Sequence, residues 1–120
     1  MTVVAMKSPA HFAGTAARCF RDLNMSKHAL QHEPAALELP TDSHRTHALH
    51  TALLATIHVD RRHLDQACHY GDEAMVHAGA VRSGRVRQRL TELTKRLHPH
   101  RDVPVVAAFL DRHRDVLVAA

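Results

Sequence analysis

Aromatic side chains are scarce in this chain. Among 120 residues there is no Trp, one Tyr (Tyr70) and three Phe (Phe12, Phe20 and Phe109), so a core must be filled by Ala, Leu and Val. Glycine is as rare, with four residues, and no long alternating run of β-branched residues occurs. Without such alternation there is no pattern for half-buried strands, whereas Ala and Leu favour helices and small Ala lets helices approach closely. The expected fold class is all-α, in one domain spanning 1–120. No run of about 18 apolar residues exists, and "MTVVAMKSPA" lacks the apolar centre of a secretion signal, so neither membrane spanning nor secretion is expected. The two cysteines, Cys19 and Cys68, stand alone with no C-x-x-C, which fits small apolar side chains in a reduced, cytoplasmic protein. H-E-x-x-H, a Gly-rich phosphate loop and a nucleophile elbow are all missing. The expectation is a protein that is not an enzyme and uses no cofactor and no metal.

What the chain has in quantity is arginine and histidine. Thirteen of its sixteen basic residues are Arg, a bias that points to a high-GC bacterial genome. The net charge of +4 is local: 82–101 holds seven basic residues and one acid, Glu92, leaving nine basic and eleven acidic residues elsewhere. Thirteen histidines accompany them, and protonating all would carry the formal charge from +4 to +17. They are expected to be exposed and neutral at pH 7. His28 and His32, one helical turn apart, and the "HPH" at 98–100 could touch a metal, but no carboxylate or thiolate completes a ligand pattern.

Punctuation marks six helices. Ser8–Pro9 opens one to about Leu23; Ser26 opens a second to about Leu39, with Pro34 placed to kink it. Asp42 or Ser43 starts a third to about His58, and Asp60 a fourth to Gly79. Ser83 starts a fifth to about Leu97, and Asp102 with Pro104 a sixth almost to the end. The fifth carries an apolar stripe of Val86, Leu90, Leu93 and Leu97; the sixth one of Val103, Val106, Leu110 and Leu117. Short connections make successive helices antiparallel hairpins, at about 8–39, 42–79 and 83–118.

The chain also repeats. An offset of 38 residues brings Ala17 onto Ala55, Asp22 onto Asp60, Ala29 onto Ala67 and Ala36 onto Ala74. These small-residue spacings resemble the tetratricopeptide pattern, W-x2-L-G-x2-Y…A-x3-F…P, with Leu54–Ala55 at its Leu-Gly pair and Phe20 at its Tyr. The Trp positions hold Ala13 and Thr51, His58 replaces the second aromatic, and the period exceeds 34. "VRSGRVRQRLTELTKRLHPHRDVPVVAAFLDRHRDVL" is similar to the last segment of tetratricopeptide-like regions in actinobacterial regulators of the XRE class. The resemblance implies a stack of about three helical hairpins that senses or binds a partner. It does not bring DNA binding with it, because no helix-turn-helix headpiece precedes the repeat-like helices.

The expected function is therefore a non-enzymatic protein-interaction or regulatory module. Its groove would be lined by the first helix of each hairpin, through Ala16 and Phe20 in the first unit and His47, His50 and His58 in the second. Arg82, Arg85, Arg89 and Arg96 follow a helical stripe opposite the Leu stripe, the pattern of a solvated outer face of the last repeat, which as a basic docking face would take an acidic protein or peptide. The alternative is a nucleic-acid-binding accessory protein using the same 82–101 helix, although the stretch lacks aromatics for base stacking. The apolar "VPVVAAFL" and "VLVAA" at the end point to self-association or docking to a larger partner.

Overall fold

Ser8 accepts a hydrogen bond from the His11 backbone N–H at 3.1 Å, and Pro9 occupies the first turn, so α1 (Pro9–Asp22) begins where its capping residues require. The computed structural model describes residues 8–119, and these form helices without a strand. After α1 come α2 (Ser26–Leu30), α3 (Glu33–Ala36), α4 (His44–Asp60), α5 (Leu64–Ala78) and α6 (Gly84–Leu97). A short 3-10 turn, His98–His100, leads to α7 (Pro104–Arg112) and α8 (Arg114–Ala119).

Eight helices thus stand where punctuation predicts six. The helix expected over 26–39 is two, because Pro34 has no N–H to continue the ladder from α2 and lies in the first turn of α3 instead. The one expected from Asp102 is also two, parted at His113, whose ring reaches back to Asp72 of α5 at 2.6 Å. Asp60 does not open the fourth helix. It closes α4, and α5 starts at Leu64 after a tight turn.

That turn recurs at the 38-residue offset. Asn24 and Arg62, one offset apart, are the two non-glycine residues with positive φ among the described residues, at 61° and 63°. Around the first, Met25 N–H donates to the Phe20 carbonyl and Asn24 N–H to that of Arg21; around the second, His63 donates to His58 and Arg62 to Val59. Both are Schellman endings, with the left-handed residue at C′. Ala17 and Ala55, Ala29 and Ala67, and Ala36 and Ala74 are all buried. The third unit does not share this turn: the chain leaves α6 through the 3-10 segment.

Packing makes two layers. α1, α4 and α6 lie side by side, and α4 packs most extensively on α5. Gly14 meets His50 and Arg21 meets Thr56, so α1 and α4 run the same way. Arg45 reaches Ser83 and Arg96 reaches Asp60, so α6 runs with them. The second layer holds α2, α3, α5 and α7, with α7 packed on α5. A thinnest dimension of 19 Å matches two helix diameters of about 10 Å.

α4 is the centre of the core, buried at every position from His50 to Val59. Val86, Leu90, Leu93 and Leu97 bury as their spacing predicts. The stripe of the last hairpin is shifted, since Val103 is exposed while Phe109 is fully buried beside Val106. Phe109 fits because α5 offers Gly71: a Cβ there would stand 2.7 Å from the ring and 3.3 Å from Leu93. Gly71→Ala should cost about 1–2 kcal/mol in chemical denaturation, the overpacking penalty outweighing the gain of roughly 1 kcal/mol in helix propensity. Wild-type stability would mean that the ring swings aside freely.

Candidate functional site

The lengthwise contact of α1, α4 and α6 leaves a groove with α4 as its floor, enclosing about 180 Å³. From α1, His11, Thr15 and Arg18 face it; from α4, Arg45, Thr46 and His50; from α6, Arg85 and Arg89. Among the described residues no carboxylate lines it.

One turn of α1 past Arg18, a buried arginine ties the three helices together. The Arg21 side chain is 3 % exposed and donates to Thr56 Oγ1 at 2.9 Å, to Glu92 Oε1 at 3.2 Å and to Asp22 Oδ1 at 2.8 Å. This joins α1, α4 and α6 through one guanidinium, which stays compatible with burial because its donors are satisfied by two carboxylates and a hydroxyl. Beyond it, Arg96 holds both oxygens of Asp60, at 2.7 and 2.8 Å, and approaches Glu92 at 3.6 Å. Glu92 is therefore shared, and its approach to Arg89, at 3.8 Å, is the loosest of the three. Arg89 feels the deficit: burial, then the Arg18 charge, lowers its pKa from the ordinary guanidinium value, against the pull of Glu92. It remains charged, since guanidinium does not deprotonate in proteins.

On the floor, His50 Nδ1 lies 2.7 Å from the Ala36 carbonyl. A carbonyl only accepts, so Nδ1 carries the proton and Nε2 is bare, against Gly14, where a Cβ would stand 2.4 Å away. Burial lowers the pKa of His50 below the usual imidazole value; the Ala36 bond opposes this and His11 and His47 reinforce it.

Of the five groove residues expected from sequence, His50 alone lines the groove. Phe20 turns to the other side of α1 and stacks on His28 and His32 at 5.6 and 5.7 Å, and half-buried Ala16, one turn earlier, shares that side. His47 stacks on His77 of α5 at 4.5 Å, and buried His58 donates from Nε2 to Glu33 at 2.7 Å and stacks on Tyr70. The expected basic face is likewise divided. Arg85 and Arg89 enter the groove and Arg96 is neutralised beyond it. Arg82, ahead of α6, borders a separate apolar cleft of about 650 Å³ beside Met75, Val76 and Val86. Helical phase cannot show this, because α4 and α1 cover one flank of the stripe. Arg18, Arg21 and Arg45 were not foreseen, and nothing in their local sequence distinguishes them from surface arginines.

The histidines are not a uniformly exposed set. His44 and His47 meet His77 between α4 and α5, with the Nδ1 atoms of His44 and His77 3.1 Å apart; His58 and His63 meet through their Nδ1 atoms at 3.3 Å. Flat imidazoles occupy seams that Phe or Tyr would fill in an aromatic-rich chain. His28 and His32 face Phe20, and among the described residues no group of three or more His, Cys, Asp or Glu is placed to share a metal ion. Cys68 is buried, and burial with the nearby Asp72 charge pushes its pKa up to about 11, so it is a thiol and not a nucleophile at neutral pH. No described helix is long and apolar enough to cross a membrane. Comparison with protein-family models, curated proteins and solved structures found no match for this chain.

Proposed function

We propose that this chain is a non-enzymatic, tetratricopeptide-like interaction module of the cytoplasm, whose α1–α4–α6 groove takes a negatively charged segment of a partner protein. The observation that carries the reading is the convergence of Arg18, Arg45, Arg85 and Arg89, from three helices, on a groove lined by no described carboxylate. Arg112 and Arg114, by contrast, have Asp72 and Asp111 beside them. A rigid stack that keeps like charges together gains electrostatic energy only when an anion arrives between them. The repeated turn and the parallel α1, α4 and α6 agree with the tetratricopeptide resemblance, in which first helices form the binding face. A self-association surface could draw on exposed Phe12 of α1, Val76 of α5 and Val116 of α8, whereas Val106 and Phe109 of the terminal apolar run point inward.

Fluorescence anisotropy with a labelled hexaglutamate peptide tests the reading. Arg85→Glu with Arg89→Glu should weaken binding at least about tenfold, the loss of two charge-assisted contacts. Arg87→Glu with Lys95→Glu, on the outer face of α6, should leave it within about twofold. Equal losses in both variants would mean unspecific charge attraction and remove the groove from the argument. A labelled DNA duplex that binds more tightly than the peptide, with an affinity falling steeply with salt, would favour the nucleic-acid alternative.

A further inference from the structure

Resting on the groove as a binding site, we infer that its ligand presents a phosphoryl group, seated between Arg18 of α1 and Arg85 and Arg89 of α6 above Thr46 of α4. The charge balance carries the choice. Arg21 and Arg96 already use Asp22, Asp60 and the near oxygens of Glu92. Of the arginines lining the groove, Arg18, Arg45 and Arg85 have no described carboxylate partner, and Arg89 has a 3.8 Å share of Glu92. Arg45 has a neutral acceptor, Ser83 Oγ, at 3.4 Å.

One carboxylate would bring a single charge and two oxygens to this excess. A phosphoryl group brings about 1.5–2 charges and three strong acceptor oxygens, each able to face a different guanidinium. The planar fork of arginine matches that geometry, whereas a single carboxylate satisfies one fork and leaves the others apposed. Size points the same way. The groove encloses about 180 Å³, below the roughly 300–1,000 Å³ of pockets that bury a whole small molecule, and suited to one compact head group whose remainder lies outside. Recognition of phosphorylated segments by arginines from several elements is an established mode of binding.

The phosphoryl group could belong to a modified Ser, Thr or Tyr of a partner chain or to a free phosphorylated small molecule, and the experiment separates them. Thermal unfolding of the full chain is followed at pH 7.5 with sodium phosphate, sodium acetate and sodium chloride at matched ionic strength. Phosphate alone should raise Tm in a saturable way. Arg85→Gln with Arg89→Gln should abolish the rise, and Arg87→Gln with Arg101→Gln should retain it. A phosphate effect that survives in the Arg85/Arg89 variant, or one matched by acetate, overturns the inference. Binding is then compared for a nonapeptide carrying phosphoserine, the same peptide with glutamate there, and free O-phosphoserine. The phosphopeptide should bind at least about tenfold more tightly than its glutamate form. If it also exceeds free O-phosphoserine, a partner chain is the source; if the two are equal, a small molecule is, and both results support the phosphoryl site. Equal affinities of the phosphoserine and glutamate peptides, both lost in the Arg85/Arg89 variant, overturn the phosphoryl inference and leave the groove reading standing. Binding by neither overturns both.

Discussion

Phe109→Ala is expected to remove about 3–5 kcal/mol of stability, a large share of the roughly 5–15 kcal/mol that holds a domain of this size. Phe109 is fully buried and sits where α5, α6 and α7 converge. Its ring lies on the bare Cα of Gly71, touches Leu93, stands 4.8 Å from the His113 ring and carries the Arg112 guanidinium 6.0 Å above it. Truncation leaves a cavity that Gly71 has no side chain to fill. It also undercuts Arg112 and His113, which hold Asp72 of α5 at 3.0 and 2.6 Å. Urea denaturation should show the full loss, and the melting temperature should fall by about 10–20 °C. Phe109→Leu, which keeps most of the volume, should lose less than half as much. A loss under about 1 kcal/mol for Phe109→Ala would mean that α7 is not fastened to α5 by this ring.

Mild acid should have the next largest effect. His50 and His77 titrate below the ordinary imidazole value of about 6.5 in the folded chain. For His77 the causes are burial, then the neighbouring His47 and His44, with Glu73 opposing. The unfolded chain therefore takes up protons first as pH falls. The contribution of these groups is complete above about pH 6.5 and is lost as pH drops below it. The bond between His77 and His44 depends on it: it runs ring nitrogen to ring nitrogen, so one of the two must be bare. That bond alone is worth about 0.5–1.5 kcal/mol. Between pH 7.5 and 5.5 the melting temperature should fall by on the order of 5–10 °C. His44→Gln with His77→Gln should flatten the dependence. Asp72 acts in the same direction at lower pH. Burial raises its pKa, but the His113 and Arg112 hydrogen bonds outweigh this and hold it below the usual carboxylate value, so its share is lost in stronger acid. A melting temperature unchanged to pH 5.5 would place the histidine seams outside the stability of the fold.

The parts of the fold legible in the sequence are those set by local chemistry. Ser8 and Ser83 cap their helices, Pro34 breaks one, and the Leu stripe of α6 buries in register. The offset of 38 was visible in four small or acidic residues, and the structure repeats it down to the hydrogen bonds of the turn. The helix count was not legible, because nothing near His113 signals a stop: the interruption coincides with a contact to Asp72, 41 residues away.

The candidate site divides in the same way. Sequence by itself determined an all-helical chain, the starts of its main helices, its repeat, and a surplus of arginine on the helix after Ser83. Which arginines share a groove, which are silenced by Asp60, Asp22 or Glu92, and which histidines replace missing aromatics were decided only by tertiary structure. Helix formation and capping depend on residues within a turn or two, so a linear sequence displays them. The charge of a groove depends on which side chains three separate helices bring within a few ångströms, and that is fixed by the close approach at Gly14 and Gly71 and by the packing around α4.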